Sequence, residues 1–221
     1  MKHTPLLDRL AALDTNTVSD ALDFLGLAGA TVGLRPLWNC PKIVGRASTV
    51  LLAPKLDTAP SVHLITPVIE QIDSDDRVLV IAGGLEGISC WGDILANAAV
   101  RKQVRGTVID GFSRDIDGSA AMGYPVYGRD VTMISARNRV MQIDAAVTIN
   151  VAGVDVSEND YVIADNCGTV FVPQPHIEQV LDLAERINRR QEAMVEAIRA
   201  GRSVAEVMHD SHFDAIQTEH A

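Results

Sequence analysis

The chain has 221 residues with 19 basic and 29 acidic side chains, a formal charge of −10. Apolar residues make up 47% against 22% charged, which excludes a disordered chain and suffices for a full hydrophobic core. The acidic balance argues against nucleic acid and against an anionic membrane as partners, since both call for a concentrated basic surface.

Leucines at 6, 7, 10 and 13 predict an amphipathic helix over 4–13. A second helix starts with Thr15 or Thr17 as its cap and closes at Gly26. Residues 27–42 have no clean period and read as a loop. The alternating, β-rich run from Ile43 to Leu52 predicts a strand, followed by a helix over 61–72 and a strand over Arg77–Ala82. Gly83 to Gly87 is a glycine-rich loop, and 93–105 is a helix with an alanine-rich buried face. Arg101, Lys102 and Arg105 cluster on that helix and read as a solvated face.

Gly106 to Asp110 follows as a short buried strand, and the residues after it read as a turn. A helix over 116–122, a strand over 125–128 and several short strands within 145–156 and 160–172 come next. Asp165 and Asn166 read as a turn between two of those strands. A long helix runs from Pro175 to about Arg199, closed by Gly201, with a short helix starting near Ser203. Alternating strands and helices followed by clustered strands predict one layered α/β domain over 1–221 with a mixed central sheet and a C-terminal helix.

Three cysteines, Cys40, Cys90 and Cys167, form no disulfide framework and no zinc spacing. With no signal-like apolar run and no membrane-length segment, a reduced, cytoplasmic, soluble protein is expected. Cys90 lacks a base partner in the sequence and reads as a small buried residue. His63, His176, His209 and His212 show no ligand spacing.

The chemistry concentrates in two segments. Trp91-Gly92-Asp93 opens the helix over 93–105, where Asp93 is either a cap or a ligand. The amides of Ile94 and Leu95 in the first turn form an anion cradle. Arg114-Asp115 follows the strand at 106–110 and offers a bidentate anion clamp beside a hard oxygen ligand. A surface salt bridge of Arg114 with Asp115 or Asp117, and a capping role for Asp115, are the alternative readings. A helix of about 12 residues spans roughly 18 Å, close to five strand residues at roughly 3.3 Å each, which sets helix start and strand end at one edge.

Asp93, twenty intervening residues and then Arg114-Asp115 resemble the signature of the RraA-like family, the class II aldolases of 4-hydroxy-4-methyl-2-oxoglutarate and 4-carboxy-4-hydroxy-2-oxoadipate. Val18-Ser-Asp-Ala-Leu22, Val44-Gly-Arg-Ala47, Gly123-Tyr-Pro-Val126 and Ala164-Asp-Asn-Cys-Gly168 have the family's look as well. The resemblance implies a swivelling β/β/α fold and a Mg²⁺ or Mn²⁺ ion bound directly by Asp115, with Asp93 holding it through water. It implies that Arg114, Gly92 and the amides of Ile94 and Leu95 hold a pyruvyl group, and that metal and Arg114 stabilise a pyruvate enolate. Oxaloacetate decarboxylation through the same enolate is expected.

The family further implies a homotrimer or homohexamer with a glutamate reaching the neighbouring site. Glu192 is the candidate, Glu196 competes for the role, and an ordinary exposed helix position is the alternative. The rival function on this fold is a non-catalytic regulator that binds an RNA-degrading enzyme; those regulators lack the aspartate after the arginine. A menaquinone methyltransferase would need an S-adenosylmethionine turn after the first strand, and none is present.

Overall fold

The computed structural model describes residues 5–56 and 65–208. The chain opens with helices α1 (Pro5–Ala11) and α2 (Thr15–Phe24). The cap of α2 is Asp14, whose Oδ1 accepts the Thr17 N–H at 2.7 Å, and neither Thr15 nor Thr17 fills that role. Gly26, at φ 65°, ends the helix as expected because a left-handed residue there costs glycine nothing.

Strand β1 (Arg35–Pro36) interrupts the predicted loop, and β2 (Ile43–Pro54) runs two residues beyond its predicted end. Helix α3 (Thr66–Gln71) is the described part of the helix expected over 61–72; His63 lies outside the described residues. Strands β3 (Arg77–Ala82) and β4 (Ser89–Trp91) lead into helix α4 (Asp93–Arg101), which is four residues shorter than expected. After α4 come β5 (Thr107–Ile109), β6 (Phe112–Ser113), α5 (Ile116–Ala121), β7 (Val126–Gly128), β8 (Asp130–Val131) and β9 (Val140–Ala145). Then follow the hairpin β10 (Ile149–Val151) and β11 (Val154–Val156), the hairpin β12 (Tyr161–Asp165) and β13 (Gly168–Val172), and helices α6 (Ile177–Arg199) and α7 (Val204–Val207).

The central sheet has the order β1-β7-β5-β3-β2-β12-β13, with β9 also paired to β2. Strands β2, β3, β5 and β7 are mutually parallel, while β12, β13, β1 and β9 pair antiparallel, so the sheet is mixed as expected. Strand periodicity divides its two faces. Val44, Val50, Leu52, Leu79, Ile81 and Ile109 point to the helices, where α3 and α4 cover one part and α1, α2 and α6 another. Ile43, Ala47, Val78, Val80, Val108 and Phe171 point to the other face, which the β10–β11 hairpin covers. The result is a helix layer, a central sheet and a small β layer.

A second, three-stranded parallel sheet, β4-β6-β8, extends this core. Each of its strands continues a central strand: β3 leads to β4, β5 to β6 and β7 to β8. Periodicity could not reveal strands of two or three residues, so the predicted turn after Asp110 is in fact β6. The continuations pass close together at Gly84, Gly111 and Gly128. A Cβ on Gly84 would lie 3.2 Å from the Asp110 oxygen, and one on Gly128 would lie 3.2 Å from the Gly111 oxygen.

Two smaller expectations change. Lys102 and Arg105 are not a solvated face: Lys102 donates to the Glu70 and Ile72 carbonyls, and Arg105 to those of Asp75 and Val44. The turn at Asp165 is present, and its carboxylate also accepts the N–H and hydroxyl of Thr15, tying the β12–β13 turn to α2. Among the described residues no helix is long and apolar enough to cross a membrane.

Candidate active site

The second sheet delivers the site. Strand β4 ends at Trp91 and passes through Gly92 into the first turn of α4. Beside it β6 ends at Ser113 and passes through Arg114-Asp115 into α5. The two exits are locked by the Arg114 N–H donating to the Trp91 carbonyl at 3.0 Å, and β8 is locked on by the Thr132 N–H donating to the Ser113 carbonyl at 2.9 Å. Because the strands are parallel, all three exits open at the same edge, where open α/β sheets place their sites.

Asp93, Arg114 and Asp115 meet there. Asp115 takes the left-handed conformation, φ 56° and ψ 39°, which aspartate tolerates better than most residues. It stands at the cap position of α5 without a side-chain cap bond. Its Oδ2 turns instead to α4, accepting the Asp93 N–H at 3.3 Å, and lies 3.2 Å from Arg114 Nε. The salt-bridge alternative for Arg114 is therefore realised, with Asp115 as its partner. Both side chains are 37% exposed, accessible to a small ligand and screened by solvent.

The packing depends on missing side chains. A Cβ on Gly92 would fall 2.7 Å from Asp115 Oδ2 and 3.3 Å from Arg114 Nε. One on Gly118, in α5, would fall 3.1 Å from the Asp93 Cβ. Gly118 was not singled out from the sequence, although a glycine inside a predicted helix is a signal of close approach.

Asp93 is the first residue of α4, behind Gly92 at the cap position, so the capping alternative for its side chain does not hold. The first turn leaves the N–H groups of Ile94 and Leu95 without intrahelical acceptors. Ile94 is exposed, while Leu95 anchors the turn in the core. Segments 92–95 and 113–118 carry three aspartates and one arginine. Among the described residues no three His, Cys, Asp or Glu side chains converge as a ready-made metal cage. The Asp115 carboxylate, held by the Asp93 N–H beside Arg114, and the Asp93 side chain packed at Gly118 are oxygen donors too few for a full cage, a set that fits an ion keeping most of its water, as Mg²⁺ does.

The surroundings are structural. Trp91 is buried and stacks on Tyr124, with ring centroids 6.0 Å apart, so it supports the site from below. Its Nε1 and the Ser119 hydroxyl are buried without hydrogen-bond partners. Burial pushes the Cys90 thiol up to about 11, which makes it a packing residue and a poor nucleophile. Asp110 at the end of β5 pairs with Arg129 and accepts the Ala152 N–H at 2.7 Å, pinning the β10–β11 hairpin.

Glu192 and Glu196 lie elsewhere. Their helix α6 packs on α1 and α2 in the cluster shared with β12 and β13, whereas Trp91 and Leu95 belong to the cluster under α3 and α4. Glu192 accepts from Asn188 at 3.0 Å and Glu196 pairs with Arg199 at 2.9 Å, both within α6. The single chain does not bring either glutamate to Arg114.

Comparison with known proteins gives a match to the family model described as "RraA-like: Aldolase/RraA" over residues 15–171. The chain is 28% identical to a protein of Halalkalibacterium halodurans whose name proposes a 4-hydroxy-4-methyl-2-oxoglutarate aldolase, over 87% of this chain and 88% of the relative. It is 27% identical to Protein DlpA of Legionella pneumophila over 93% of its own length, and it spans about a third of that larger protein (33%). Among solved structures, RraAS2 of Streptomyces coelicolor, described as an unusual member of the RNase ES inhibitor RraA protein family, superposes with a TM-score of 0.76 at 25% identity. That match covers 90% of this chain and 98% of RraAS2.

Proposed function

Given that this chain belongs to the RraA-like family, in which aldolases and RraA proteins share one fold, we propose that it is a divalent-metal-dependent class II aldolase. Its substrate is a short 4-hydroxy-2-oxo diacid, cleaved to pyruvate and a second oxo acid. The observation that supports this reading most is the meeting of Asp93, Arg114 and Asp115 at the exits of β4 and β6.

Asp115 would hold Mg²⁺ or Mn²⁺ directly and Asp93 through water. The ion, when bound, supplies Lewis-acid polarisation of the 2-oxo group. Arg114 clamps the pyruvyl end, and the free amides of Ile94 and Leu95 receive its carboxylate at the positive end of α4. Gly92 leaves the room in which these groups approach one another. As the C3–C4 bond breaks, the 4-hydroxyl gives its proton to water, the bonding electrons pass through C2 to the 2-oxo oxygen, and proton return to C3 then releases pyruvate. Arg114 stabilises the enolate charge that develops on that oxygen. Loss of CO₂ from oxaloacetate yields the same enolate, so decarboxylation belongs to the same site.

The reading includes a homotrimer or homohexamer in which Glu192 of one copy reaches the water near Asp93 and Asp115 of the next. Two observations support it: α6, which carries Glu192, packs in a different cluster from Trp91 and Leu95, and the exposed apolar Ile94, Val131 and Met133 lie just after β4, in β8 and just after β8. The alternative, a regulator of an RNA-degrading enzyme, draws on the likeness to RraAS2. Asp115 favours the enzyme, because the family resemblance implies that the regulators lack the aspartate after the arginine, and that aspartate is present here.

The test is pyruvate release from 4-hydroxy-4-methyl-2-oxoglutarate and from oxaloacetate, with Mg²⁺ and with chelator. Turnover that needs the metal is expected for at least one substrate. Absence of metal-dependent turnover with both overturns the aldolase reading.

A further inference from the structure

Asp110 stands where β5 hands over to β6, four residues ahead of Arg114. Its backbone N–H donates to the Ile81 carbonyl at 2.8 Å, and its Oδ2 accepts the Ala152 N–H at 2.7 Å. Ala152 holds a left-handed φ of 50° in the β10–β11 turn, a conformation that alanine adopts at a cost. The carboxylate is thereby fixed from β3 on one side and from the small β layer on the other. Only 18% of the side chain is exposed, so solvent screens it less than a surface acid.

The remaining oxygen, Oδ1, accepts from Nε of Arg129. Arg129 occupies the equivalent place in the neighbouring passage, between β7 and β8. Its backbone N–H donates to the Gly111 carbonyl at 2.9 Å, so one arginine grips both Asp110 and Gly111. That grip matters because β6 and β8 pair only through Phe112 with Asp130 and Ser113 with Val131. So short a pairing specifies register weakly, and a slip by one residue turns each side chain to the opposite face. Arg114, the residue after β6, would turn with them. At the site end the same two strands are held by the Thr132 N–H on the Ser113 carbonyl.

We propose that Asp110 and Arg129 are positioning residues: their bond sets the register of β6 on β8 and thereby where Arg114 stands at the substrate. They act through Arg114 and not on the substrate itself. The effect on turnover rests on the aldolase reading, whereas the coupling of the Asp110–Arg129 bond to the Arg114 backbone does not.

Two substitutions at one position test it. Arg129→Met keeps the reach of the side chain and removes the donor to Asp110, while Arg129→Gln returns a neutral amide donor at the place of Nε. Amide exchange, followed residue by residue by NMR, should be roughly tenfold faster than in the parent at Arg114 and Thr132 in Arg129→Met, and within about twofold of it in Arg129→Gln. Pyruvate release should follow the same order, with kcat/KM roughly tenfold lower in Arg129→Met. Added to Arg114→Ala, Arg129→Met should cost no more than about twofold further, since the one substitution acts through the other. Parent-like exchange at Arg114 and Thr132 in Arg129→Met overturns the proposal, as does equally fast exchange in both variants. A full additional tenfold loss in the Arg114→Ala background overturns it too, because a general supporting role acts alike with and without Arg114. A parent protein that releases no pyruvate removes the aldolase reading alone, and the exchange comparison still decides the coupling.

Discussion

One carboxylate oxygen, Oδ2 of Asp115, accepts the backbone N–H of Asp93 at 3.3 Å and lies 3.2 Å from Nε of Arg114. Two strand exits already bonded backbone to backbone are thereby joined through a side chain as well. The arrangement orients the acid before any ligand arrives, and it makes each of the three residues separable by experiment.

Asp115→Asn removes the charge while keeping a residue that tolerates the left-handed backbone. The folded state should survive, with a change in Tm of only a few degrees for a loss of about 1 kcal/mol. Mg²⁺ affinity, read by calorimetric titration, should fall by at least roughly tenfold, or about 1.4 kcal/mol. Unchanged affinity would contradict Asp115 as the metal ligand.

Arg114→Ala should leave metal affinity within a few-fold of the original while kcat/KM for pyruvate release falls roughly 100-fold or more, the scale of losing an electrostatic stabiliser. Steady-state kinetics with saturating Mg²⁺ decide it. A parallel collapse of metal binding would mean that the arginine serves only to position Asp115.

Gly92→Ala tests packing at the site. Gly92 is extended, φ −165°, so alanine meets no backbone strain and acts only through its Cβ, 2.7 Å from Asp115 Oδ2. Activity should fall with Asp115 displaced, while circular dichroism stays unchanged. Full activity in this variant would show that the observed Asp115 geometry is not the working one.

Thiol chemistry should follow burial. Cys167 is exposed, whereas Cys40 and Cys90 are buried. An aromatic disulfide reagent at neutral pH should titrate one thiol rapidly in the folded protein and three after denaturation. Rapid reaction of Cys90 would contradict its elevated pKa.

Alkaline stability follows from the same burial. The Cys90 thiol, ordinarily 9.0, is pushed up to about 11, and Cys40, Tyr124 and Tyr127 are also raised by burial. The folded state therefore binds more protons than the unfolded one once the unfolded thiols begin to ionise. Stability is fully present below pH 9 and should fall as pH rises toward 11, by at most about 1.4 kcal/mol per pH unit for each group involved. Urea midpoints at pH 8, 9 and 10 would show it, and a flat profile would contradict it.

Much of this protein was legible as sequence. Alternation in β2 and β3, the leucine spacing of α1 and the long amphipathic α6 all follow from local periodicity, and so does the mixed α/β class. Asp93, Arg114 and Asp115 stood out through their types and spacing. What stayed hidden was built from pieces too short to carry a period: β4, β6 and β8, with two or three residues each. Asp14, Thr15 and Thr17 are all capping types within four residues, and only the folded backbone decides that the Asp14 oxygen reaches an N–H.

By itself the sequence determined the longer helices and strands and which side chains could do chemistry, since both depend on contacts within a few residues. Tertiary structure alone decided that the three parallel strands continue into a second sheet, because that depends on backbones meeting at Gly84, Gly111 and Gly128. It also decided that Asp115 points to α4 and not to its own helix. That choice depends on a partner 22 residues away and on the absence of a single Cβ at Gly92.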